Sequence, residues 1–217
     1  MKVTYYLDIT SSWGFWSEPA WAELKTRFEG KVVFDWQIAL MDASGLPVSR
    51  SQTEWFYRRS GTIMKSPRML NAGWFEPGLT EYIAPNAVAV AARDLGSDGD
   101  TVRLALARAG LVDGRRIGRW EESVAIGADA ANLDAATLEV RARSAEVLDR
   151  MRGTTAEYHA YKMSVRPALL IENTIGDRAV LSGLVAAAPI AAVIDAMLQD
   201  EAAYASHAAH YGGPPAS

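Results

Sequence analysis

Apolar and polar positions change their period three times along this chain. Residues 2–9 (KVTYYLDI) are rich in Val, Tyr and Ile and are followed by Thr-Ser-Ser, which predicts a short buried strand. Glu18-Pro19 suits the first turn of a helix, where proline's missing N–H costs nothing. Ala20, Leu24 and Phe28 then recur at helical spacing, and Gly30 stops the run. Residues 32–40 (VVFDWQIAL) predict a second strand, so the chain opens β-α-β.

Between residues 41 and 79 the pattern loosens. Gly45, Pro47, Gly61, Pro67, Gly73, Pro77 and Gly78 punctuate it, and Trp55, Phe56, Tyr57, Trp74 and Phe75 lie between them. Aromatic residues at that density in a loop imply that they cover something. Residues 86–95 (NAVAVAARDL), 100–111, 120–131 and 137–152 carry the helical period. After residue 163 the period changes again. Arg166-Pro167 leads into the apolar run Ala168-Leu169-Leu170-Ile171, and residues 178–181 form a second extended segment beyond a Gly176-Asp177 turn, a hairpin signal. Residues 189–199 predict a closing amphipathic helix, and residues 201–217, with their Gly-Gly-Pro-Pro, read as a flexible tail. The order β-α-β, helices, β-β-α predicts an α/β thioredoxin-like fold. Residues 1–40 and 164–200 would form its sheet domain, and residues 41–163 a large helical insertion serving as a lid.

Composition narrows the chemistry. The chain has 217 residues, is 49% hydrophobic and 22% charged, and carries a formal net charge of −4. It has no basic stripe of the kind a nucleic-acid binder shows. No apolar run approaches the ~18 residues that span a bilayer. The first ten residues alternate like a strand and lack the apolar core of a signal peptide, so a cytoplasmic protein is expected. The sequence contains no cysteine. That excludes disulfides, thiolate metal sites and a cysteine nucleophile. His207 and His210 have metal-compatible spacing but no third ligand, so no metal site is expected.

Two segments carry a resemblance. Asp8-Ile9-Thr10-Ser11-Ser12-Trp13-Gly14-Phe15-Trp16 resembles the strand end and active-site turn of the DsbA-like thioredoxin superfamily, whose Cys-Pro-Trp-Cys would fall on Ser11 to Gly14. Val165-Arg166-Pro167-Ala168-Leu169-Leu170-Ile171 resembles the stretch around that superfamily's cis-proline, and the later Leu181-Ser182-Gly183 its terminal hairpin exit. Asn86, at the head of an Ala-rich helix, is similar to the start of its helical insertion. Two branches place serine at the first cysteine position: kappa-class glutathione transferases and 2-hydroxychromene-2-carboxylate isomerases. The resemblance implies that Ser11 stands beside the thiol of bound glutathione, as the catalytic residue. It implies that Arg166, Pro167 and Ser182 contact the cofactor, Arg166 also being able to hold a carboxylate, and that the protein is a homodimer acting on a small molecule.

Physical chemistry bears on the same residues. A strand-to-helix turn faces the helix N-terminus, where free N–H groups and the macrodipole favour negative charge. A serine there cannot ionise usefully at neutral pH, but its O–H can donate to a thiolate that a ligand supplies. Ser11 and Ser12 are equally explained as helix caps. Ser12, Trp13, Phe15 and Trp16, with Trp55, Trp74 and Asn86 from the insertion, are the candidate substrate-binding residues. Arg58, Arg59, Lys65 and Arg68 form a basic cluster beside them, and His159 reads as a half-buried packing residue. The serine branches carry an acidic residue just after the hairpin, for the γ-glutamyl amine; residues 182–188 (SGLVAAA) hold none. Three readings follow: a glutathione-dependent isomerase or transferase for an aromatic or unsaturated acid, a thiol-independent enzyme on the same scaffold, or a non-catalytic peptide-binding domain.

Overall fold

A computed structural model describes residues 1–66, 68–97, 99–183 and 185–213; the expectations resting on Pro67, Leu184 and residues 214–217 lie outside them. The elements run β1 (Lys2–Leu7), α1 (Ser12–Arg27), β2 (Val33–Ile38), α2 (Arg50–Ile63), α3 (Ile83–Asp94), α4 (Thr101–Leu111), α5 (Trp120–Ala131), α6 (Ala135–Ala142), α7 (Ala145–Ala160), β3 (Ala168–Glu172), β4 (Arg178–Ser182) and α8 (Ala187–Tyr211). Among the described residues the strands form one sheet in the order β2-β1-β3-β4. β1 pairs parallel to β2, with Tyr5 opposite Trp36, and antiparallel to β3, with Tyr5 opposite Leu169; β3 and β4 form an antiparallel hairpin.

Alternation along the strands assigns the two sheet faces. Val3, Tyr5, Leu7, Trp36, Ile38, Leu169 and Ile171 point to one face, where they join Trp21 and Leu24 of α1 and Ile190, Ala191 and Ile194 of α8. The apolar residues of the insertion, among them Val88, Val102 and Leu106, belong to the same continuous core. Tyr6, Ala168 and Leu170 point to the other face and pack with Tyr158 and Met163. The insertion therefore shares its core with the sheet, which fixes its position above the β1–α1 turn.

Four boundaries differ from the sequence reading, each for a local reason. α1 starts at Ser12 because the Ser11 hydroxyl caps it, accepting from the Gly14 N–H at 3.2 Å. Pro19 consequently stands inside the helix, at an exposed position. The segment read as loop contains α2, capped by Ser49 accepting from the Gln52 N–H. Its buried residues are Thr53, Tyr57, Ser60 and Gly61, a helical face without aliphatic side chains, so no hydrophobic period marks it. The predicted helix over 137–152 is two helices, because Ser144 caps a new start by accepting from the Val147 N–H. α8 continues to Tyr211 where a flexible tail from 201 was expected: its Ala-rich turns favour helix, and Gly212 at φ +73° ends it.

At Gly127, α5 meets three other helices of the insertion, α3, α4 and α6. A Cβ there would lie 2.5 Å from Val88 Cγ1, 3.2 Å from Leu138 Cδ2 and 3.3 Å from Val102 Cγ1. Gly127→Ala is expected to lower stability by about 1–3 kcal/mol, because crowding this buried junction outweighs the gain in helix propensity. Thermal unfolding followed by circular dichroism checks this, as a fall in Tm of several degrees.

Candidate active site

The β1–α1 turn is held from behind by a carboxylate. Asp8, 2% exposed, accepts from the Thr10 N–H (2.8 Å) and hydroxyl (2.7 Å) through Oδ1, and from the Met41 N–H (2.9 Å) and Asn86 Nδ2 (3.2 Å) through Oδ2. Asn86 is fully buried; its Oδ1 accepts from the Ile9 N–H at 3.1 Å, and its Nδ2 also donates to the Tyr82 carbonyl at 2.9 Å. Among the described residues no cation pairs with Asp8. Four hydrogen bonds from three separate segments hold it instead, the arrangement a buried carboxylate needs. The pair clamps the turn, the exit of β2 and helix α3 to one another.

On that support, Ser11 occupies the N-cap of α1. Its N–H donates to the Asp8 carbonyl (2.9 Å), its carbonyl accepts from Phe15 N–H (3.0 Å), and its hydroxyl oxygen accepts from Gly14 N–H. The hydroxyl proton remains free to donate outward. The Ser12 and Trp13 N–H groups have no partner among the described residues. These are the orphan donors of a helix start, and together with the macrodipole they favour an anion.

A cleft of about 270 Å³ opens over this helix end. Thr10, Ser11, Ser12 and Trp13 form one wall; Thr53, Phe56, Tyr57 and Arg59 of α2, with Trp74, form another; Ser164, Val165 and Arg166 form the third, and Met41, Gly45 and Pro47 complete the lining. Trp74 Nε1 donates to the Tyr57 hydroxyl at 2.8 Å. Burial pushes that hydroxyl's pKa far above the usual tyrosine range, so Tyr57 stays neutral. The Arg166–Pro167 peptide is cis. Among the described residues the Arg166 N–H and C=O have no hydrogen-bond partner, leaving a short backbone edge on the cleft. Arg166's guanidinium is committed elsewhere: it donates to the Ala39 and Leu40 carbonyls at 2.5 Å each and lies 4.6 Å from the Tyr158 ring centre.

The structure brings Ser11, Ser12, Trp13, Trp74 and Arg166 together around the cleft. The other candidates stand apart from its lining. Phe15 turns toward Arg103 and Ala107 of α4, and Trp16 packs edge-on against Phe15. Trp55, 52% exposed, lies on the outer side of α2, and Phe56 takes the cleft position. Asn86 is buried behind the turn rather than facing a ligand, because its whole amide is used within the protein. Pro167 is buried. Ser182 acts one step back: its hydroxyl donates to the Val165 carbonyl (3.0 Å) and accepts from the Val165 (3.1 Å) and Ser164 (3.4 Å) N–H groups. His159 is exposed, its ring edge-on to Tyr158, and not half-buried. Asp8, Met41 and Thr53 escape sequence reasoning, in which Tyr57 figures only as one of the aromatics between residues 41 and 79; the only signal for Asp8 is its place at the head of the quoted turn motif.

A cysteine at this cap would be acidified. Ser11→Cys is expected to yield a thiol with a pKa below the usual ~8.5 that reacts readily with a disulfide reagent at neutral pH. Iodoacetamide alkylation rates against pH measure it; an ordinary cysteine titration would contradict the placement of the helix end.

No protein-family model matches the chain, and no curated protein sequence matches it. Solved structures do. The cytosolic disulfide reductase DsbM from Pseudomonas aeruginosa superposes with a TM-score of 0.72 at 16% identity, over 92% of this chain and 99% of that one. The same protein solved with GSH gives 0.71 at 15% identity, over 92% and 100%. A 2-hydroxychromene-2-carboxylate isomerase gives 0.62 at 12% identity, over 95% and 98%, and DsbA from Pseudomonas aeruginosa gives 0.60 at 12%, over 94% and 85%. Among the described residues no helix is long and apolar enough to cross a membrane, and no cluster of three or more His, Cys, Asp or Glu side chains could hold a metal. With its β-α-β and β-β-α halves around a helical insertion and no cysteine in its sequence, the chain has the DsbA-like thioredoxin fold in a cysteine-free form.

Proposed function

We propose that this protein is a thiol-dependent isomerase or transferase that uses glutathione on an aromatic or unsaturated acid. The observation that carries the reading is the helix end at Ser11. A free hydroxyl proton and two unpartnered N–H groups meet there, at the floor of a cleft walled by Trp13, Phe56 and Trp74. Without cysteine the chain has no thiol of its own for disulfide exchange. A thiolate brought by a ligand would find the stabilisation that a cysteine thiolate finds at this position.

The chain's residues fit one half of glutathione better than the other. Ser11, Ser12 and Trp13 would hold the sulfur, and the Arg166 backbone edge would pair with the peptide. At the γ-glutamyl end the fit is poorer: α8 begins at Ala187 with no acidic residue in its first turn and no side-chain cap. Bound glutathione would supply a thiolate able to add reversibly to a conjugated double bond, so that the bond can rotate before the sulfur leaves. The chain would contribute the Ser11 donor to the sulfur, aromatic walls that orient the substrate, and exclusion of water from the cleft.

The poor γ-glutamyl fit favours one competing reading, a thiol-independent enzyme in the same cleft. Conversion of a cis-configured aromatic enoate, followed by its absorbance with and without reduced glutathione, separates the two. Turnover only with the thiol supports the proposal. Equal turnover without it assigns the cleft to thiol-free chemistry.

A further inference from the structure

In a protein whose net charge is −4, the lining of this cleft includes Arg59 and Arg166 and no carboxylate; Asp42, next to the lining residue Met41, interacts with Arg166. The two arginines are not equivalent. Arg166 spends its guanidinium on two backbone carbonyls and the Tyr158 ring. Arg59 has no ion pair and donates no hydrogen bond to any described residue, whereas Arg93, Arg103, Arg141 and Arg150 are all paired with carboxylates. Its guanidinium lies 5.4 Å from the Trp55 ring centre and 5.3 Å from that of Phe56. Stacking on aromatic faces restrains the fork while leaving its N–H edge open, the geometry that receives a carboxylate in two parallel hydrogen bonds.

We propose that Arg59 is the carboxylate-binding, specificity-determining residue of this cleft, and that its ligands are aromatic carboxylates rather than neutral arenes. The inference rests on the reading of the cleft as a substrate site. Phe56 and Arg59 are three residues apart on α2 and so share a face, offering ring and charge to one ligand. Trp55, on the outer side, backs the guanidinium without touching the ligand. This accounts for an exposed tryptophan beside the cleft, and it gives the carboxylate to Arg59 rather than to Arg166.

The test is calorimetric titration of the full chain with trans-cinnamate and with cinnamamide, in the absence of any thiol. Wild type is expected to bind the acid at least about tenfold tighter than the amide. Arg59→Met should bring the two to parity by weakening the acid alone. Trp55→Ala should weaken the acid by a smaller factor and leave the amide unchanged. Arg58→Met is the control: Arg58, exposed like Arg59, lines a separate depression with Glu54 and Met69, so its loss should leave the preference intact. Equal affinity for both probes in wild type, a preference that survives Arg59→Met, equal loss in Arg58→Met, or no binding of either probe at millimolar concentration would each overturn the proposal. No thiol is present, so the result stands apart from the fate of the glutathione reading.

Discussion

Ser11→Ala is expected to lower thiol-dependent turnover by about 10²- to 10³-fold, the usual cost of removing one preorganised donor from a developing or bound anion. It should also cost about 1 kcal/mol of stability, because the same oxygen caps α1 by accepting from Gly14 N–H. The two effects can be separated. Ser11→Thr keeps hydroxyl and cap, and should retain activity to within about tenfold. Ser11→Asp keeps a capping acceptor, and its charge is favourable at the helix N-terminus, yet it repels a thiolate. It should therefore leave the unfolding temperature near that of wild type while abolishing turnover. Steady-state rates with and without glutathione, beside thermal unfolding, check all three variants. An Ser11→Asp protein that remains active would mean that Ser11 serves only as a cap.

Asp8→Ala is expected to have the largest effect on stability. It removes the acceptor for Thr10 N–H, Met41 N–H and the Asn86 amide at once, in a site that is 2% exposed. Each buried donor left unpaired costs about 1–3 kcal/mol, and such losses are not additive, so a total of about 3–5 kcal/mol is expected. For a chain of this size that is a fall in Tm of about 10 °C or more. Since Thr10 and Met41 both line the cleft and both hang on this carboxylate, ligand binding should fall with stability. Asn86→Asp tests the clamp differently, setting a second carboxylate against Asp8. It also removes the amide donors to Asp8 and to the Tyr82 carbonyl, so it should destabilise the chain by about 3 kcal/mol or more. Urea unfolding measures the loss. A variant as stable as wild type would show that the two groups do not face each other.

The sheet frame was legible in the sequence for a simple reason. Residues 2–9, 32–40, 168–171 and 178–181 are short apolar or alternating runs bounded by turn residues, and strands of this kind follow from pattern alone. Helix α2 was not legible, because its buried face of Thr53, Tyr57, Ser60 and Gly61 carries no hydrophobic period. Ser11 could be located from the turn motif, but its aromatic neighbours could not be sorted. Placing the helix start at Glu18 leaves Trp13, Phe15 and Trp16 on a loop. Only a helix from Ser12 sets Trp13 at the mouth, with Trp16 about 4.5 Å further along the axis. The Asp8–Asn86 contact joins residues 78 positions apart, and neither residue names its partner in the sequence. Arg59 was visible within a basic cluster. What singled it out was the commitment of Arg166 to backbone carbonyls, which only the folded geometry displays.

If this cysteine-free helix end receives a thiol from outside, calorimetric titration of the purified protein with reduced glutathione, repeated on Ser11→Ala and on Ser11→Thr, shows it directly. Saturable binding to wild type is expected, preserved in Ser11→Thr and weakened about tenfold or more in Ser11→Ala. The absence of heat at millimolar glutathione, or binding indifferent to Ser11→Ala, would contradict it and leave a thiol-free cleft as the reading that fits.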